Sequence, residues 1–419
     1  MWLALLIYGL IFTFGLVSLQ NAYLALLERL FGWGSRHLQE LRRANEREEL
    51  KSLGDGWTLN PRVAEQQKQK QKNVRQRRNK QMQTPAKSQL CQQMEQCCDM
   101  ISEGMALVLE DDVTTRFVSA PLPAGEWNLL TRDLSVHIGL LSWRLRVVWL
   151  LGLLFRYTLL APLRTATCLS CLLLVPATTG LIGLLCKLRC NQRVGKWLLR
   201  QCLCMTASFV PIMRRYHNLE HRPTKGICVC NHTNPLDVLI LMCDVQYSLT
   251  GQRHDGILGV FQSSLSRVSP HMWFNRREPG EREALGDALR QHTQSPDKPP
   301  ILLFPEATCI NNTAVMQFKK GSFAVSDVVY PMAIRYDRRY GEAYWDSTRY
   351  SMFRYMLMLV SSWCLSCDIW YLPPISREPN ESPIRFASRV KAAIAAQAGI
   401  EDLPWDGNLK RCSPVRDWL

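Results

Sequence analysis

His232 and Asp237 stand in Asn231-His232-Thr233-Asn234-Pro235-Leu236-Asp237, with four residues between them. A carboxylate bonded to one imidazole nitrogen fixes the ring tautomer and stabilises the imidazolium, and the other nitrogen can then remove a proton from a hydroxyl. A hydroxyl activated in this way attacks an electrophile directly, so the chemistry requires no serine or cysteine nucleophile. On their own, a histidine and an aspartate at this spacing are an ordinary pair. Three further blocks give them weight: Trp273-Phe274-Asn275-Arg276-Arg277-Glu278, Phe304-Pro305-Glu306-Ala307-Thr308 and Phe318-Lys319-Lys320-Gly321-Ser322-Phe323. Taken singly, the arginine pair is what a solvated surface carries, and Glu306 is what a helix cap needs.

The elements that must position these residues follow from pattern. Short β-rich runs alternate with helical stretches after His217, as in an α/β domain. Strands are expected at Gly226 to Cys230, Pro300 to Phe304, Val328 to Tyr336 and Cys367 to Leu372. Asn234 can cap a helix and Pro235 can occupy its first position. His232 then sits in the loop at a strand's carboxyl end, where open α/β sheets bind ligands, and Asp237 sits in the first helical turn. Ser382-Pro383 and Gly399 bound a packing helix. The apolar run Met352 to Cys364 is too short to cross a bilayer and reads as a buried helix of the same domain.

Upstream the composition changes. Trp2 to Leu19 is an apolar run of about 18 residues, close to the roughly 20 that span a bilayer. It has neither a basic start nor a small-residue cleavage site, so a retained anchor is expected over residues 1–35. Residues 36–145 read as a polar, basic linker, with Gln, Lys and Arg alternating from Arg62 to Lys80. Residues 146–190 hold two apolar halves broken near Ala161, Pro162 and Arg164, which reads as a membrane hairpin; Arg156 within the first half would lie shallow and snorkel. Basic residues on both flanks put both ends of the hairpin in the cytosol. Val194 to His217 suits an amphipathic surface helix or a core helix alike. The α/β domain is expected over residues 194–411.

A net charge of +15 attracts nucleic acid, anionic lipid and phosphorylated substrates equally. No aromatic residue interleaves the basic tract, so nucleic acid is not the expected partner. The 16 cysteines fall mostly in apolar runs and read as reduced small hydrophobes. Cys364 and Cys367 have a metal-like spacing, but no second pair completes a zinc site, so no metal is implied.

The blocks around His232, together with Val329-Tyr330-Pro331, resemble the motifs of the glycerolipid acyltransferase family: His-x4-Asp, Phe-x-Arg, Phe-Pro-Glu-Gly-Thr and a proline-containing strand. Cys309-Ile310-Asn311-Asn312-Thr313 and Tyr371-Leu372-Pro373-Pro374 bring the likeness nearest to the endoplasmic-reticulum glycerol-3-phosphate acyltransferases, over about Pro211 to Arg411. The resemblance implies an α/β fold, a mixed sheet flanked by helices, with N-terminal membrane helices. It implies transfer of a fatty acyl group from acyl-CoA to sn-glycerol 3-phosphate, giving lysophosphatidate, with acyl-CoA as co-substrate and no cofactor. His232 would be the general base and Asp237 its partner. Arg276, Glu306 and Thr308 would belong to the acceptor's phosphate pocket, Arg276 through its forked donors and Glu306 by orienting Arg276 or the loop backbone. Lys319 and Lys320 would steer the acceptor or the phosphates of coenzyme A.

By the same likeness the chain would lie on a phospholipid membrane, in the endoplasmic reticulum with its catalytic domain facing the cytosol, and on lipid droplets. A lysophospholipid such as lysophosphatidate is the alternative acceptor. Ala307 departs from the pattern, standing where the family has glycine. Its methyl group could crowd the phosphate, and a positive φ there would strain the loop, which leaves open a catalytically weakened membrane or lipid-droplet binding relative.

Overall fold

The computed structural model describes residues 21–41, 43–44, 47, 89–108, 113–120, 142–187 and 192–411, apart from 209, 276–278 and 296. The apolar run Trp2 to Leu19, the basic tract Arg62 to Lys80, and Arg276 and Arg277 lie outside the described residues.

The helices are α1 (residues 21–41), α2 (Gln89–Val108), α3 (Trp143–Phe155), α4 (Ala161–Lys187), α5 (Gln192–Ala207), α6 (Leu236–Met242), α7 (Gly256–Ser266), α8 (Pro279–Thr293), α9 (Gly321–Val325), α10 (Met352–Val360) and α11 (Pro383–Ala398). The strands are β1 (Ile212–His217), β2 (Ile227–Cys230), β3 (Ser248–Gln252), β4 (Met272–Phe274), β5 (Ile301–Leu303), β6 (Ala314–Val315), β7 (Val328–Asp337), β8 (Leu365–Tyr371), β9 (Ile375–Ser376) and β10 (Glu401–Asp402). The main sheet runs β1-β8-β7-β2-β5-β3-β4, with β9 beside β7. It is parallel except where β7 meets β8 and β9. This is the mixed sheet expected from the sequence.

Both faces of the sheet are covered, which explains why β2 is apolar throughout rather than alternating. Cys228 and Cys230 face the layer built by α4, α5, α6 and α10. Ile227 and Val229 face the layer of α9 and α11. Cys228, Cys230, Cys364 and Cys367 are buried and unbridged, packed as small hydrophobes. Helix α11 keeps the bounds its caps set: the Ser382 hydroxyl accepts from Arg385 N, and Gly399 ends the helix at φ 63°.

Five sequence expectations change. The stretch Val194 to His217 is not one helix: α5 ends at Ala207, and Ile212–His217 is an edge strand parallel to β8. Where a hairpin was expected over residues 146–190, residues 143–187 are instead one unbroken helical path, with α3 and α4 joined through a π turn at Arg156–Leu160 whose flanking residues are all helical. Pro162 lacks an N–H and its ring presses on the carbonyl four residues back; the wider π turn just before it accommodates that without breaking the helix. Arg156 does not snorkel. Its Nε donates to Ser361 O at 2.7 Å, and Arg164 donates to Val360 O at 3.3 Å, to Trp363 O at 3.1 Å and to Ser362 O. The two guanidinium groups thus cap the carbonyl end of α10, where a cation also meets the negative pole of the helix.

The remaining changes concern domain limits. A boundary at residue 35 would cut α1, whose Leu27, Phe31 and Leu38 pack on Leu145, Tyr340, Trp363 and Cys364. The expected linker 36–145 contains a segment of the catalytic domain: Val113 and Phe117 are buried against Ile310, Ala314, Met316 and Leu403.

Candidate active site

The strand β2 ends where Asn231 turns its side chain onto β7, donating to Ile334 O and accepting from Ile334 N, each at 2.8 Å. The side chain so replaces the next rung of the ladder and releases the backbone into the loop. The Asn234 side chain accepts from Leu236 N at 2.8 Å, and Pro235 precedes α6 in helical geometry. Asp237 is consequently held in the first turn of α6 and is wholly buried. Its Oδ2 accepts from Thr233 N at 2.7 Å and Asn234 N at 3.0 Å, and meets His232 Nδ1 at 2.9 Å. Its Oδ1 accepts from the Tyr336 hydroxyl at 2.5 Å. With Nδ1–H turned to this carboxylate, Nε2 is the imidazole nitrogen left to exchange a proton with a ligand.

The histidine is fixed on every other side. Its ring stacks on Phe304 with centroids 4.2 Å apart, its N–H donates to Glu306 Oε2 at 2.7 Å, and its carbonyl accepts from Ile310 N at 2.9 Å. Burial disfavours the imidazolium, but the neighbouring Cys309 and Asp237 side chains outweigh it and raise the His232 pKa well above the ordinary 6.5. Glu306 takes both its bonds from backbone, His232 N on one oxygen and Met316 N at 2.9 Å on the other. Its burial pushes the carboxyl up to about 8 in spite of those donors. Glu306 therefore ties the backbone of the histidine loop to the residue that follows β6.

Ala307 has φ 58°, a left-handed conformation that an L side chain adopts at a cost. It closes a tight turn, with Ala307 N donating to Phe304 O at 3.1 Å. Thr308 is half-buried, and its methyl group lies where a side chain on Gly407 would have to go, 2.7 Å from an ideal Cβ. Lys319 pairs through Nζ with Asp406, and Lys320 is exposed just before α9. Phe304 and Glu306 are thus brought to His232, Ala307 and Thr308 follow them in the same turn, and Arg276 lies outside the described residues beyond β4.

Sequence reasoning missed the residues that hold this loop from a distance. Asn312, at φ 61°, donates to Thr233 Oγ1 and Ile334 O, both at 2.9 Å, and accepts from Tyr336 N at 2.8 Å. Asn311 donates to Thr115 O at 2.7 Å and Val118 O at 2.8 Å, while its own N–H donates to Arg116 O at 3.1 Å. Arg116 reaches Thr313 Oγ1 at 2.9 Å and pairs with Glu401. Residues 113–118 are therefore a strap over the loop that follows Thr308. The adjacent asparagines and the run Cys309–Thr313 were the available signal; the strap itself has none.

The acyltransferase family model matches residues 213–335. Human glycerol-3-phosphate acyltransferase 4 is 44% identical over 310 residues, 74% of this chain and 67% of that protein. Human glycerol-3-phosphate acyltransferase 3 is 44% identical over 318 residues, 75% of this chain and 72% of that protein. Among solved structures, the crystal structure of the 1-acyl-sn-glycerophosphate (LPA) acyltransferase from Thermotoga maritima matches with a TM-score of 0.39 at 14% identity, covering 61% of this chain and 96% of that one. This chain belongs to the glycerol-3-phosphate acyltransferase family.

Proposed function

We propose that the protein transfers a fatty acyl group from acyl-CoA to a hydroxyl of sn-glycerol 3-phosphate, giving lysophosphatidate, at the cytosolic face of the endoplasmic-reticulum membrane. The observation that carries the reading is the His232 Nδ1–Asp237 Oδ2 contact of 2.9 Å at the carboxyl end of β2. His232 Nε2 removes the proton of the acceptor hydroxyl as its oxygen attacks the thioester carbon. The carbon–sulfur bond breaks, and the proton passes to the departing coenzyme A, which leaves as a thiol. Arg276, Thr308, Lys319 and Lys320 are the residues proposed to meet the phosphates.

The membrane side of the proposal is supported by Trp143–Gly180, the one helix among the described residues long and apolar enough to cross a bilayer. Trp143, Leu151, Leu163 and Leu173 project outward from it and are all exposed. Such a continuous apolar surface needs lipid or protein to cover it. A lipid surface also suits the donor, since each buried methylene of an acyl chain contributes about 0.8 kcal/mol.

The test is acyl transfer from labelled acyl-CoA to glycerol 3-phosphate and, separately, to lysophosphatidate, in membranes carrying wild-type or His232→Ala protein. Wild type acylates glycerol 3-phosphate and the equally expressed variant loses most of that activity. Preference for lysophosphatidate would reassign the acceptor, and wild type no better than the variant on both would remove the catalytic reading.

A further inference from the structure

The tyrosine at the end of β7 belongs to none of the motif blocks and lies one residue beyond the span of the family model, 213–335. We propose that Tyr336 is a positioning residue of the acyl transfer, acting through Asp237 to set the orientation and basicity of His232. The proposal rests on the His232–Asp237 reading above.

Asp237 reaches the imidazole from α6, a helix of only seven residues, whereas Tyr336 stands on a ten-residue strand hydrogen-bonded on both sides. The Tyr336 hydroxyl is the bond that ties the carboxylate to the sheet, because the other donors to Asp237, from His232, Thr233 and Asn234, belong to the same loop as the histidine. Tyr336 is itself held at its backbone by Asn312, so the carboxylate is braced against a fixed element rather than against its own loop. Burial, together with the anion beside it, raises the Tyr336 pKa well above 10, which keeps the hydroxyl a donor.

The electrostatic consequence has a definite sign. A neutral donor on Oδ1 stabilises the carboxylate most when the imidazole is neutral and the pair carries a net negative charge. Removing the donor therefore favours the protonated pair and raises its pKa. The other titratable groups facing the pair are Glu306 and Cys309 on the histidine side, and Cys230, Cys367 and Tyr355 around Asp237. Tyr336→Phe leaves all of them in place.

Tyr336→Phe is expected to lower kcat by about 10- to 100-fold, the range for a hydrogen bond to a charged group, with both KM values within about twofold of wild type. The acid limb of the rate profile, and the imidazole titration of His232 followed by NMR without any acceptor, both move to higher pH. In an Asp237→Asn background the same change alters kcat by less than about twofold. Placing a fluorotyrosine at 336 strengthens the donor and moves the His232 titration to lower pH, which serves if the phenylalanine variant does not fold. Because that titration needs no acceptor, it judges Tyr336 even if glycerol 3-phosphate is not the acceptor. A His232 titration unmoved by either substitution, or an equal loss of kcat with and without Asp237, overturns the proposal.

Discussion

Replacing Ala307 with glycine tests whether the departure from the family motif burdens the fold or the chemistry. Alanine at φ 58° costs roughly 1–2 kcal/mol relative to a right-handed position. Glycine removes that strain but gives the unfolded chain more freedom, which returns about 0.4–1 kcal/mol. The net is a stabilisation of about 0.5–1 kcal/mol, or a rise in Tm of roughly 1–4 °C for a domain of this size. Ala307→Val should move Tm the other way, since a branched side chain tolerates positive φ poorly. The assay is thermal unfolding of purified protein in detergent, with acyl transfer measured on the same samples. Turnover should change by less than about threefold, because the Phe304–Ala307 turn and both bonds of Glu306 are already formed with alanine in place. If Ala307→Gly melts below wild type, the strain argument is wrong. A gain of more than tenfold in turnover would show instead that the methyl group obstructs a ligand.

Two other outcomes can be measured directly. On the proposed mechanism His232 must be unprotonated to act, and its pKa is raised above 6.5, so kcat/KM should fall with decreasing pH through a limb lying above 6.5; a rate already flat at pH 6.5 contradicts the pairing. Asn311→Ala strands the Thr115 and Val118 carbonyls, at a cost of about 2–3 kcal/mol, and should speed hydrogen exchange in residues 113–118 while α11 keeps its protection. Unchanged exchange in the strap would mean that Asn311 does not hold it.

The parts of the site written in contiguous residues were legible in the sequence. The asparagine and proline before Leu236 announce the turn that brings Asp237 back to His232, and Ser382 and Gly399 mark α11 by their capping chemistry. The sequence also raised a positive φ at Ala307, because glycine is the residue that the position suits. What failed to show were features whose cause lies far along the chain. Arg156 and Arg164 look costly in an apolar run until the carbonyls of Val360 to Trp363 are placed beside them. Pro162 suggests a break, and only the π turn before it shows how the helix continues. The strand β1 carries two arginines and no clean alternation, because it lies at the sheet edge and is set by its pairing with β8. The strap is too short for any period, and its partners lie nearly two hundred residues away.

That strap has a consequence for the order in which the chain is made. Residues 113–118 leave the ribosome before the loop they cover exists, and Glu401, which pairs with Arg116, comes later still. Lys410 closes the other end of the loop, donating to Cys309 O at 3.1 Å. At roughly 5–20 residues per second, His232 is synthesised on the order of ten seconds or more before these closing residues appear. During that interval the loop that supplies Glu306 lacks both the Glu401 partner of the strap and the Lys410 tether. A fragment limited to residues 213–335 would carry both members of the pair without Tyr336, the strap or the closing segment. A chain interrupted before residue 401 therefore carries the motif residues without the Arg116–Glu401 pair and the Lys410 bond that close this loop.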